Sequence, residues 1–368
     1  MTDYTQSTNH PVHPSEILGD ILDDRGITQK QLASRLGISL KHMSELLNGQ
    51  VAFTVNMALR LEFVLDAPAE TWLKLQANYD MVMSRLNMEE QLNEQYENEK
   101  NILTDFKDCY NNLQKWGLVE KTLNRKSRYV NVLNYFGVPS LQLLLNNYHP
   151  IKFRKSDDEP DQYCIAAWLR FGEKQYESNT AKQPFNASQF ATSLKDIRKL
   201  TKEPINDATK QLTEICAASG VSLVFTPYFS KSYINGATRW IAPSRPLIQL
   251  SERNKRGDIL WFTFFHEAAH LVLHSRKQNY LNWDNQSLLS DGEEENEANA
   301  YAGDILIPKT KYQSFISKGD FSRESIKGFS EYIGVGVDIV AGRLVRDKKI
   351  EWPVANTYFR KIMLEKTD

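Results

Sequence analysis

The sequence predicts a multidomain chain: an all-α domain at the N-terminus, then a helical connector, then an α+β domain with a small sheet. Three observations predict it. From Pro14 to Ala67, short amphipathic stretches alternate with cap and turn signals and no strand pattern. From about 76 to 200, apolar residues recur at helical spacing in a polar background. Beyond 205, β-rich runs stand between two strong helical patterns. The expected boundaries are 1–75, a linker at 76–116, a connector at 117–200, and a C-terminal domain at 201–368.

Composition excludes several classes. Apolar residues make up 41%, which argues against global disorder, and a net charge of −1 argues against a chain that coats nucleic acid. Cys109, Cys164 and Cys216 are scattered and odd in number, so no disulfide framework or zinc ribbon is expected, and a reducing cytoplasm fits. MTDYTQSTNHPVHP has no apolar core and does not read as a signal peptide. The most apolar run, Ile259 to Leu273, contains His266, Glu267 and His270, which argues against a membrane span.

The elements follow in order. Residues 1–13 read as a flexible lead. Ser15 to Asp24 carries Ile17, Leu18, Ile21 and Leu22 at helical period, and Gly26 ends it. Thr28 caps a helix through Leu36, and Gly37 closes it. Ser39 caps Leu40 to Leu47, and Thr54 caps Val55 to Leu65. Pro68 opens a long helix through WLKLQANYDMVMSRL, without a heptad sustained enough for a coiled coil. Residues 117–200 read as helical, broken by SDDEPDQ at 156–162. After a helix at Ile205 to Ser219 come three strand-like runs, VSLVFTP, GATRWIAP and RPLIQLS. Asp258 is expected to cap the next helix, and Pro308 to stop the last, Glu294 to Ile307. Cys164 and Cys216 read as core thiols, and His10, His13 and His149 as surface residues.

The stretch TFFHEAAHLVLH carries chemistry. On a helix, His266 and His270 share a face and can present two imidazoles to one metal ion, with Glu267 beside them as a base. A catalytic zinc needs a third protein ligand and an open position. DGEEENEANAYAGDILIP offers four glutamates, Glu293, Glu294, Glu295 and Glu297. Glu297 is favoured because it lies one turn before Tyr301, adjoining a face formed by Ala298, Tyr301, Ala302, Ile305 and Leu306. The other three read as a solvated start to the helix. Asp304 is an outer candidate, and His274 drifts off the ligand face. A buried Glu267 needs a compensating charge, which favours a metal over two core histidines. No oxyanion donor stands out between Tyr280 and Tyr301. A substrate strand is expected to add beside RPLIQLS.

These residues carry a resemblance. AAWLRFGE at 166–173, GVSLVFTP, WFTFFHEAAHLVLH and ENEANAYAGDILIP resemble the ImmA/IrrE family of zinc metallopeptidases, over about Ile165 to Pro308. The resemblance implies a zincin-like fold, zinc held by His266, His270 and Glu297, and Glu267 as catalytic base. It also implies cleavage of a regulatory protein. Ala269 departs from the glycine common in that family; alanine is small, so little harm is expected.

The N-terminal arrangement TQKQLASRL–GIS–LKHMSELLNG has helix-turn-helix features. Ala33 is small at the helix contact, Gly37 allows the turn, and Ile38, Met43 and Leu46 form a packing face. Leu40, Lys41, His42, Ser44 and Glu45 are then left to face bases, with Gln29, Lys30, Asn48 and Gln50 near phosphates. Charge opposes this: residues 1–70 hold five Lys/Arg against nine Asp/Glu. HPSEIL, GITQKQLASRLGIS, LLNGQVAFTVNMALRLE and WLKLQANYDM nonetheless resemble the HigA-type antitoxin branch of the XRE/Cro-like family. One departure is Ser15 where that family usually has glycine.

The expected protein is a cytoplasmic, homodimeric DNA-binding regulator of a double-stranded operator. Its zinc endopeptidase domain would cleave a repressor or antitoxin partner in a stress or mobile-element response. The alternative is a HigA-like antitoxin that meets a cognate toxin, with a zinc domain that only senses or docks.

Overall fold

The computed structural model describes residues 11–147, 160–178, 181, 183–274, 280–283, 286–287 and 292–362. The expected lead up to residue 10, His149 and most of the SDDEPDQ break lie outside these. The chain forms two compact units, Met1–Asn98 and Glu99–Asp368.

The first unit contains α1 (Pro14–Asp24), α2 (Gln29–Leu36), α3 (Leu40–Leu47), α4 (Val55–Leu65) and the start of α5 (Ala69–Asp105). Caps decide the helix starts. The Thr28 side chain accepts from Gln31 N in a capping box, and Ser39 and Thr54 accept from His42 N and Met57 N. Gly37 closes α2 at φ 68°, a left-handed conformation that suits glycine. His13 departs from expectation. It is buried, accepts from Ser15 N, and caps α1, with its ring edge-on to Tyr79 at 4.5 Å. Leu18, Leu32, Met43, Leu46, Leu61 and Trp72 form the core beneath the α2–α3 turn. Burial of each such side chain contributes about 1.5–3 kcal/mol, which holds these short helices together.

The second unit is built from α6 (Lys107–Lys115), α7 (Arg125–Phe136), α8 (Leu141–Asn147), α9 (Gln162–Ser178), α10 (Ala187–Lys199), α11 (Ile205–Ala218), α12 (Gly257–Leu273), α13 (Gly292–Leu306), α14 (Lys309–Ile316), α15 (Arg323–Ile333), α16 (Val337–Arg346) and α17 (Trp352–Asn356). Its sheet holds β1 (Ser222–Thr226), β2 (Ile234–Ala242), β3 (Arg245–Ser251), β4 (Tyr280–Trp283) and β5 (Gln286–Ser287). The strand order is β1-β3-β2-β4-β5. β1 runs parallel to β3, and β2 antiparallel to both β3 and β4. The strand RPLIQLS is therefore interior. Both its edges are paired, so no substrate strand can add beside it.

Helix α12 is buried nearly all round, as its apolar flanks require. Phe264, Phe265, Ala268 and Leu271 join a core with residues of α10, α11, α13, α15 and α16. Gly236 lets β2 approach α12. A Cβ there would lie 2.5 Å from the Thr263 methyl and 3.0 Å from Glu267. Arg198 donates to the carbonyls of Ile305, Leu306 and Ile333, satisfying the ends of α13 and α15. Asp258 is not the cap expected of it. Arg256 takes the N-cap position, and Asp258, inside the helix, holds the Arg256 guanidinium at 2.9 and 2.6 Å. Cys109, Cys164 and Cys216 are buried free thiols. Among the described residues, no helix is long and apolar enough to cross a membrane.

Candidate metal centre

The two histidines of HEAAH lie one turn apart on α12, 1% and 2% exposed, with their Nε2 atoms 3.1 Å apart. Glu295 of α13 closes the triangle: Oε2 lies 3.1 Å from His266 Nε2 and Oε1 lies 3.3 Å from His270 Nε2. Donors at about 2.0–2.2 Å from a tetrahedral centre stand roughly 3.3 Å apart, so these three edges fit one zinc ion. His266, His270 and Glu295 are the group among the described residues whose ligand atoms converge in this way. Two imidazoles, one carboxylate and a remaining position form the donor set of a catalytic zinc site.

Each imidazole is held from behind. His266 Nδ1 meets Asn299 Oδ1 at 3.2 Å. His270 Nδ1 meets His274 Nδ1 at 3.0 Å, and His274 Nε2 meets Glu297 Oε2 at 3.1 Å. Partners of this kind fix the tautomer and ring orientation of a metal-binding histidine.

The structure thus brings Glu295, not Glu297, to the imidazoles. The buried stripe of α13 is Glu295, Ala298, Ala302 and Leu306, at intervals of three and four. Glu297 falls off that stripe, and its side chain is 58% exposed. Asp304 is likewise away from the site: it is exposed and accepts from Lys309 N. Tyr301 packs partly buried against the core, and Tyr280 lies on β4. Sequence reasoning set Glu295 aside among its four candidates, and it missed Asn299 and Thr238. The periodicity of α13 could have found Glu295 and Asn299.

Glu267 is completely buried. Thr238 Oγ1, on β2, donates to Glu267 Oε2 at 2.7 Å, while Oε1 has no hydrogen-bond partner among the described residues. An orphaned carboxylate oxygen beside the metal cluster fits a group that meets a water or a substrate atom. Burial pushes the Glu267 carboxyl up to about 8 against the pull of His266 and Thr238. Burial pushes Glu295 up too, but the two imidazoles outweigh it and hold it well below the usual carboxylate range. Burial pulls His270 down to about 4. Burial also acts downward on His266, yet Glu295, Glu267 and Asn299 leave it raised. Two carboxyl and two imidazole groups shifted in opposite directions within one buried cluster mark a candidate functional site.

In the first unit, Met43 and Leu46 are buried and Ile38 half-buried, as a helix-turn-helix packing face requires. Gln29, Lys30, Leu40, Lys41, Ser44 and Asn48 are exposed on α2, α3 and the turn that follows, with His42 and Glu45 half-exposed. Glu45 lies 3.7 Å from both Lys41 and His42, and Asn48 donates to Ser44 Oγ.

Residues 216–345 match the IrrE N-terminal-like domain of the M78 peptidases, a span that contains the whole cluster. The N-terminal region is similar to the uncharacterized HTH-type transcriptional regulator YddM of Escherichia coli. The two are 34% identical over 68 residues, 18% of this chain and 71% of that protein. Through this region the chain belongs to the HTH-type transcriptional regulators. The regulator is also similar to Antitoxin HigA-1 of Vibrio cholerae, 32% identical over 87 residues, 23% of this chain and 82% of that protein. Among solved structures, that of Pseudomonas aeruginosa antitoxin HigA with higBA promoter is 29% identical, covering 22% of this chain and 90% of that one, with a TM-score of 0.22.

Proposed function

We propose that this chain is a cytoplasmic DNA-binding regulator whose C-terminal domain is a zinc-dependent endopeptidase that cuts a repressor or antitoxin-like partner. The observation that carries the reading is the buried triangle of His266, His270 and Glu295 with the unpartnered Oε1 of Glu267 beside it. A purely structural zinc site has no use for that carboxylate.

When bound, zinc polarises the scissile carbonyl and lowers the pKa of water in the site to about 7. His266, His270 and Glu295 would hold the ion, and Asn299 and His274 orient the rings. Glu267 takes the proton from the attacking water through its free Oε1 and returns it to the leaving amine. Thr238 anchors the other oxygen, so the base keeps one orientation through both transfers. Phe262, which lines the cleft beside His266, gives the site an apolar wall that limits bulk water.

The N-terminal assignment, residues 1–75, is to operator DNA. Leu40, Lys41, His42, Ser44 and Glu45 face the bases, and Gln29, Lys30 and Asn48 the phosphates. A homodimer would bring two such faces to a palindromic site, with its basic groups segregated to the DNA-facing side. Val55, Leu59 and Phe63 support it: they lie at four-residue spacing on α4, 61%, 47% and 90% exposed.

The test compares new protein N-termini in cells carrying wild type or Glu267→Gln, with and without DNA damage. Termini formed only with wild type establish the peptidase and name its substrate. Identical termini under every stress point to the other reading, a HigA-like regulator with a cognate toxin whose zinc domain docks or senses.

A further inference from the structure

A cleft of about 350 Å³ opens beside His266 and Glu295 and runs along α12 to α16 and α17. Its near end is the metal cluster. Its far end carries three arginines, Arg256, Arg343 and Arg346, with the Trp352 ring. Two of the three are committed. Arg256 is gripped by Asp258 through two short bonds and lies 3.6 Å over the Phe359 ring. Arg343 donates to Asp347 at 2.8 Å. Arg346 is exposed and lies over the Phe262 ring at 5.3 Å, with no carboxylate in ion-pair distance among the described residues. The acidic groups facing the cleft are already matched, Asp258 by Arg256 and Glu295 by the imidazoles. The cleft therefore ends in an exposed guanidinium over an aromatic ring, within the field of Asp347, a carboxylate that Arg343 already holds, but in no ion pair among the described residues.

We propose that Arg346 recognises a glutamate or aspartate side chain of the substrate peptide, within about four residues of the bond that is cut. The inference rests on the peptidase reading above. Phe262 sits between the two features, its ring 6.3 Å from that of His266 and 5.3 Å from Arg346 Cζ. The guanidinium is thus at most about 12 Å from the ligand ring, and an extended peptide spans roughly 3.3–3.6 Å per residue. A guanidinium stacked on an aromatic face is weakly hydrated and planar, which suits a carboxylate better than a neutral amide. Asn235 and Asn254, joined to each other across the cleft wall, supply hydrogen bonds of no fixed charge for the main chain between.

The test separates recognition from turnover. Full-length Glu267→Gln carrying zinc is incubated with a randomised dodecapeptide library, and bound peptides are read by mass spectrometry. Asp and Glu should be enriched, and the best binder should lose about tenfold in affinity when its acidic residue becomes Gln. That preference should vanish with the second substitution Arg346→Gln and turn toward Lys with Arg346→Glu. It should also weaken as salt is raised. Arg346 is on the surface, so both variants keep the fold. No acidic enrichment, or a preference unchanged by Arg346→Glu, overturns the proposal. So does affinity that follows a free against an amidated C-terminus, because the carboxylate read is then the chain end. An acidic preference lost in Arg346→Glu, in a wild-type protein that cuts none of these peptides, leaves recognition standing and removes the peptidase reading.

Discussion

Thr238 and Glu267 meet across the gap between β2 and α12: the threonine hydroxyl lies 2.7 Å from Oε2 and 3.0 Å from the main-chain oxygen of the same glutamate. The contact exists because Gly236, two residues earlier, has no side chain to hold the strand away. Replacing the hydroxyl by a methyl leaves Oε2 as unpartnered as Oε1. Thr238→Val should lower kcat on the order of tenfold to a hundredfold with little change in far-UV circular dichroism, while Thr238→Ser retains most activity. Initial rates on the identified substrate check it. Equal loss in both variants would point to packing and not to the hydroxyl.

Glu295 and Glu297 are two residues apart and make opposite predictions. Glu295→Gln removes a charged donor, and zinc content after dialysis should fall close to zero. Glu297→Gln acts only through His274 and His270, and should weaken zinc binding by about tenfold at most. Metal analysis of the two purified variants decides between them.

The raised pKa of Glu267 has a stability consequence in metal-free protein. Its folded value of about 8 stands above the ordinary 4.5, so the folded state binds the proton more tightly. Its contribution is present below about 4.5, falls as pH rises, and is gone above about 8. Metal-free wild type should lose on the order of a few kcal/mol from this group between pH 5 and pH 9. Glu267→Gln should lose less. Denaturant midpoints at the two pH values measure the difference, and parallel behaviour would exclude Glu267 as the cause.

The helix-turn-helix face should separate position from sequence reading. Lys30→Ala should weaken binding to all DNA sequences alike and reduce the salt slope by about one. Ser44→Ala should change preference at one base pair by about 1 kcal/mol or more. Binding titrations at several salt concentrations, on the operator and on scrambled DNA, test both.

Much of the fold was legible because its signals are local. Thr28, Ser39 and Thr54 cap where a hydroxyl can reach an N–H three residues on, and Gly37 turns where its backbone alone is at ease. HEAAH was legible for the same reason, since four-residue spacing puts two imidazoles on one face. Glu295 was harder. A face drawn through Tyr301 and Ile305 selects Glu297, and one drawn through Ala298, Ala302 and Leu306 selects Glu295. Both stripes are apolar in sequence, and only the packing of α13 on α12 chooses between them. His13 and Asp258 went astray because their partners, Tyr79 in one case and an arginine in the N-cap position in the other, are matters of approach and not of pattern.

By itself the sequence determined that this chain joins an all-α helix-turn-helix unit to an α+β unit with two histidines and a glutamate on one helix. Periodicity, caps and spacing are properties of neighbouring residues, and they survive without the rest of the molecule. Only the tertiary structure decided that Glu295 meets His266 and His270, that Thr238 holds Glu267, that β3 has no free edge, and that Arg346 lies over the Phe262 ring in the cleft. Each of those depends on which faces of distant elements are pressed together, and burial in a shared core settles that, not any signal carried along the chain.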